Sequence, residues 1–184
     1  MVLRLLFAPA LLLLLPACAS QTQEVLPLSR AIVGASQIAR IEIILQPTAQ
    51  PAVAALDGRA ETSGAQGPAA QSFKPMLEAA VREAALRSGL NSGRTLRLVL
   101  DIDAIEVQGT GAALFGRADR LAGTVYVRDA QNGAALGQLY VDVGGGSAGP
   151  IALAIRGGGV RERLARAFAD RVAGALSGRK PPSY

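Results

Sequence analysis

The sequence predicts an α+β domain: a two-layer sandwich in which a four-stranded, mainly antiparallel sheet carries two helices on one face, in the order β-α-β-β-β-α. Three observations predict it. Four segments alternate apolar and polar residues with period two, giving each strand one buried and one wet face. Two segments repeat apolar residues every three to four positions, a single stripe on a helix. The last three strand-like runs follow one another without a helical pattern between them, as in a meander.

The first strand is "QIARIEIILQP", with Ile41, Ile43 and Leu45 on one face, Arg40 and Glu42 on the other, and Pro47 as the stop. Residues 47–71 are rich in Pro, Ala, Gly, Gln and Thr and read as a long flexible loop. The period changes at "SFKPMLEAAVREAALRSG". Here Ser72 suits an N-cap, Pro75 is tolerated in a first turn, and Phe73, Leu77, Ala80, Val81 and Ala84 make one stripe before Gly89. In "RTLRLVLDIDAIEVQ", Leu96, Leu98, Leu100, Ile102 and Ala104 face one way, and Arg97, Val99, Asp101, Asp103 and Ile105 the other. A third strand places Leu121, Gly123, Val125 and Val127 inward and Thr124, Tyr126 and Arg128 outward. Asn132-Gly133 suits a tight hairpin turn, since both residues tolerate positive φ. The fourth strand has Leu139, Val141 and Val143 inward against Gln138, Tyr140 and Asp142. The closing helix, "VRERLARAFADRVAGALSG", buries Val160, Leu164, Phe168, Val172 and Ala175 and stops at Gly178.

Residues 1–17 have the layout of a secretory signal peptide: Arg4, an apolar stretch from Leu5 to Leu15, then small residues. The run Leu15-Pro16-Ala17-Cys18 resembles a bacterial lipobox, from which Pro16 departs where a small or aliphatic residue is usual. Lipidation of Cys18, with acyl chains such as palmitate, is the expectation. An ordinary signal-peptidase site with an incidental cysteine is the alternative. Residues 18–37 then form a lipidated tether, residues 38–178 a single α+β domain with a flexible loop at about 47–71, and residues 179–184 a tail. Acyl chains anchor a protein to a bilayer without making it span one. Ala19 follows the cysteine where an Asp would indicate inner-membrane retention, so an outer-membrane lipoprotein facing the periplasm is expected, with the inner membrane as the alternative.

Composition excludes several function classes. The chain has no His and one Cys, so no Ser-His, Cys-His or thiolate-metal arrangement is available, and neither an enzyme nor a cofactor is expected. The mature chain carries 18 basic against 14 acidic residues, a mild positive balance, and export argues against a nucleic-acid partner. Gly144, Gly146 and Gly149 spell GxGxxG after a strand, but a dinucleotide fingerprint requires a helix and a further parallel strand, and Pro150 follows instead. Asp101 and Asp103 lie two apart on one strand face, and we read them as a solvated face answered by Arg97, Arg40 and Arg128. Arg161, Arg163, Arg166 and Arg171 read as the solvated face of the last helix, with Glu162 and Arg166 an i,i+4 pair. The candidate interaction edge lies elsewhere. If the last three strands form a meander, the Gly-rich connections at 108–119 and 144–159 leave one end of the sheet, and both carry apolar residues: Leu114 and Phe115 in one, Ile151, Leu153 and Ile155 in the other. Tucking of Ile151 to Ile155 beneath the sheet is the alternative.

Cys18 with its lipobox, the IEI strand, the LRLVLDID strand, the VYVRDAQNGAALGQ hairpin and the closing amphipathic helix together resemble small uncharacterised lipoproteins of proteobacteria. In architecture they are also similar to the lipopolysaccharide-assembly lipoprotein and to the auxiliary lipoprotein of phospholipid-trafficking transporters. The resemblance spans most of residues 38–177 and rests on pattern, so it assigns no functional residue. It implies a non-enzymatic envelope lipoprotein, an accessory or scaffold in envelope assembly or lipid transport. Its expected partners are the membrane, through Cys18, and an envelope protein or lipid. A periplasmic small-ligand or lipid-binding protein, using a pocket lined by Leu98, Val125 and Phe168, is the rival expectation.

Overall fold

The computed structural model describes residues 21–62, 71–108, 119–145 and 159–179. Eight elements follow in order: β1 (Gln21–Leu26), β2 (Ser36–Leu45), α1 (Gln50–Thr62), α2 (Phe73–Arg87), β3 (Arg94–Glu106), β4 (Asp119–Asp129), β5 (Ala135–Gly145) and α3 (Val160–Ser177). The sheet is five-stranded and mixed, in the order β1-β5-β4-β3-β2. β3, β4 and β5 form the expected antiparallel meander, β1 joins β5 antiparallel, and β2 runs parallel to β3. A parallel neighbour needs a crossover long enough to return the chain to the same end of the sheet, and α1 and α2 supply it.

Two elements correct the expected plan. The span expected to be a tether contains β1, whose residues Gln21 to Glu24 pair with Asp142 to Leu139. The span expected to be a loop contains α1, with Pro51 in its first turn, where a missing N–H costs no helical bond. Between β1 and β2 the chain crosses from one edge of the sheet to the other, with Leu28 and Ile32 buried and the Ser29 N–H donating to the Leu136 carbonyl (2.9 Å). The sheet therefore includes residues ahead of Ile38.

The core lies where period-two alternation puts it. Leu96, Leu98, Leu100, Ile102, Leu121, Val125, Val127, Leu139, Val141 and Val143 are fully buried beneath Phe73, Leu77 and Val81 of α2 and Leu164, Phe168 and Val172 of α3. A bulge between Ile102 and Ala104 shifts the β3 alternation by one, so Ile105, expected outward, is buried in place of Ala104. Gly123 sits opposite this bulge, where a Cβ would lie 2.6 Å from the Asp101 carbonyl oxygen. The hairpin after β4 is wider than a two-residue turn. Only Gly133 takes positive φ (72°), and no residue other than glycine does so among those described. Asn132 acts instead through its side chain, which accepts the Ala134 N–H (3.0 Å), while Asp129 accepts the N–H groups of Gln131 and Asn132.

Candidate functional site

The antiparallel meander brings both candidate connections to one end of the sheet. Asp119, which opens β4, pairs with Gly145, which closes β5, and Glu106, which closes β3, pairs with Arg120. Asp119 is almost fully buried, and its Oδ1 accepts the Gln108 N–H at 2.8 Å, fixing the base from which residues 109–118 leave. Leu114, Phe115, Ile151, Leu153 and Ile155 themselves lie outside the described residues, as does Cys18. Gly144, first glycine of the GxGxxG run, belongs to β5 and faces Arg120. Gln21 pairs with Asp142 at this same end. Its position was not foreseen, because "QTQEVL" has no apolar alternation to announce a strand.

Helix α3 also points its N-terminus toward this end. Its C-terminus is fixed at the opposite end, where the Leu176 carbonyl accepts the Gly34 N–H (2.9 Å) just before β2 begins, and Gly178 closes the helix with φ of 70°. Arg161 departs from the expected solvated face. It is 6% exposed, and its guanidinium donates to Asp57 Oδ1 at 2.9 Å and reaches Glu162 at 3.5 Å. The same Asp57 oxygen accepts the Phe73 N–H (2.9 Å), so Asp57, not the expected Ser72, satisfies the start of α2.

The polar face of the sheet is a lattice of cross-strand pairs. Arg120 forms a bidentate pair with Asp142 (3.0 and 2.7 Å) and lies 3.8 Å from Glu106. Arg97 bonds Glu42 across to β2; Arg94 bonds Asp129 at 2.7 Å on the other face, at the hairpin end of the core, where Asp129 stands opposite buried Leu96. Asp101 accepts the Gln46 amide (2.6 Å), a glutamine where an arginine was expected, while Arg97 bonds Glu42 and Arg128 reaches the Gly133 carbonyl (3.5 Å). These contacts order the charges. Hydrogen bonding to Arg97, and its charge, hold the Glu42 carboxyl below the usual range. The Arg94 bond, then the Gln131 and Asn132 amides, do the same for Asp129. The Asp142 hydrogen bond raises Arg120, and burial followed by the Asp103 carboxylate pushes the Tyr140 phenol upward. Among the described residues, no group of three or more His, Cys, Asp or Glu side chains is placed to hold a metal ion.

No family model matches this chain, and no curated protein matches it by sequence. Solved structures do. PelC from Paraburkholderia phytofirmans, crystallised as a dodecamer, superposes with a TM-score of 0.52 over 88% of this chain and 100% of its own, at 13% identity. The chain shares its fold with PelC. Weaker matches are a candidate lipoprotein from Caulobacter crescentus (TM-score 0.40, 19% identity, 77% of this chain and 93% of that one) and a DUF330 protein from Xanthomonas campestris (0.48, 16%, 83% and 87%). The match takes in the whole of the PelC chain. No helix among the described residues is long and apolar enough to cross a membrane.

Proposed function

We propose that this chain is a non-enzymatic envelope lipoprotein, anchored through Cys18 to the outer membrane and facing the periplasm. It acts there as an accessory scaffold in envelope assembly or lipid transport. The observation that carries this reading is the convergence of both apolar, Gly-rich connections on the sheet end where Asp119 meets Gly145. Leu114, Phe115, Ile151, Leu153 and Ile155 are the contact residues it nominates. The carboxylates of the sheet support a structural role, since Glu42, Asp101, Asp129 and Asp142 are each hydrogen-bonded by an arginine or glutamine side chain. Leu98, Val125 and Phe168, which would line a ligand pocket, are 0% exposed, and this supports the scaffold over the lipid-binding rival. The PelC dodecamer adds a specific form: the scaffold works as an assembly of like chains.

The test is a pull-down from detergent-solubilised membranes with the native protein, Cys18→Ser and Phe115→Asp. A defined partner, or further copies of the chain, should co-purify with the native protein and be lost with Phe115→Asp. Recovery of lipid alone, or identical behaviour of Phe115→Asp and native protein, would sink the scaffold reading.

A further inference from the structure

Three arginines stand side by side on the sheet face turned away from the helices. Arg40 of β2 lies directly opposite Arg97 of β3, and Arg97 directly opposite Arg128 of β4. A bulge makes the row. Ile38 pairs with Leu96 and Arg40 with Arg97, so Ala39 is the extra residue, and without it Arg40 would fall opposite Leu98 on the buried face. On its other side Arg128 pairs with Ala135, which brings no charge. Directly opposed like charges destabilise a sheet, where an opposite charge in the same place would stabilise it. Only Arg97 is answered by a carboxylate among the described residues. It gives one of its five N–H groups to Glu42, and its Nε is buried with no acceptor among the described residues. Arg128 reaches the Gly133 carbonyl at 3.5 Å, the outer limit of a hydrogen bond, and the exposed Arg40 forms no ion pair among the described residues. Asp101, expected to meet these arginines, sits opposite Thr124 and is bonded by Gln46.

We infer that Arg40, Arg97 and Arg128 form a binding site for an anionic ligand of the phosphate class, one that carries two linked phosphate groups. The site lies at the hairpin end of the sheet, away from the Gly-rich connections, and is separate from the scaffold role. Strand spacing sets its form. Neighbouring strands lie about 4.8 Å apart, so the row spans about 10 Å and presents two gaps between guanidiniums. A phosphate in each gap accepts N–H groups from the arginines on both sides, and Arg97 serves both gaps. Three guanidiniums against the Glu42 carboxylate leave the row two positive charges for the ligand to meet.

The probe is inorganic pyrophosphate, titrated calorimetrically into the Cys18→Ser protein, which has no acyl chain to carry it onto lipid. Saturable binding is expected. Arg40→Gln with Arg128→Gln, which keeps the Arg97 bond to Glu42, should weaken it about tenfold or more. Lys74→Gln with Arg82→Gln removes the same charge from exposed positions on α2 and should leave the affinity within about twofold. Without ligand, the row variant should denature no earlier than its parent, because opposed like charges are gone, while the rise in midpoint that pyrophosphate gives the parent should vanish. Arg128→Gln alone keeps the comparison readable if the double variant misfolds. Flotation with cardiolipin–phosphatidylcholine vesicles separates the sources: capture that needs Arg40 and Arg128 assigns the phosphates to a lipid headgroup, and pyrophosphate binding without capture assigns them to a free ligand. Binding of neither probe, or an equal loss in the α2 variant, overturns the site.

Discussion

Asp57 does the work of two residues. One of its oxygens accepts both the Phe73 N–H and an Arg161 N–H, joining α1 to the first turns of α2 and α3. Asp57→Ala removes a carboxylate partner from an almost fully buried guanidinium and strips a helix start of its acceptor. The expected loss is about 2–4 kcal/mol in urea unfolding, with Asp57→Asn closer to native because it keeps one acceptor. Asp129 gives a pH signature instead. Its carboxyl is held below its ordinary value, so its contribution is present above the unfolded-state value of about 4 and fades as pH falls through the folded value. The stability gap between native protein and Asp129→Asn should therefore be constant from pH 7 to about 4 and close in more acidic solution. Neither role was legible from single positions. Ser72 had the better capping sequence, but the acceptor came from a segment 16 residues earlier whose helix the composition disguised.

At the scale of elements, legibility followed burial. β3, β4, β5, α2 and α3 announced themselves because each buries one face, and most of the large inward residues are those that alternation or the helical stripe selected, with Ile105, Met76 and Leu176 buried beyond them and Ala104, Ala80, Val160 and Ala175 only half-buried. β1 is an edge strand with Val25 and Leu26 about half exposed, so no alternation marks it. α1 hides behind Pro51 and Gly58, residues that usually punctuate loops. Its buried contribution among residues 50–58 is essentially Val53. The candidate contact residues were found by a topological argument whose strand pairing holds, while the residues themselves lie outside the described part. Hydrogen exchange should rank the strands accordingly, with β4 amides protected longest and β1 amides exchanging first, because an edge strand has one neighbour and opens locally. Two glycines set limits on these elements. At Gly93, φ is 98° and a Cβ would lie 2.3 Å from the Ala35 carbonyl oxygen, beside the start of β2. Gly93→Ala is expected to cost about 2 kcal/mol or more, read as a lowered denaturation midpoint with an unchanged m-value.

At the scale of the molecule, one core serves the sheet and all three helices, and segments distant in sequence are bound into it. If the chain assembles with its own kind, light scattering of the Cys18→Ser protein should return a mass well above the 18.9 kDa of one chain, falling with dilution. A mass that stays monomeric at every concentration would remove self-association from the proposed function. The pairing of β1 with β5 has another consequence, one of order in time. The partners lie over a hundred residues apart, Gln21 against Asp142, so the segment nearest the start of the chain can be locked only when one of the last has been delivered. Closing so large a loop is slow, and proteins rich in non-local pairings fold late and gradually. A chain threaded through a membrane from its N-terminus would wait with Gln21–Leu26 emerged and unpaired. The first strand to arrive is among the last to find its place.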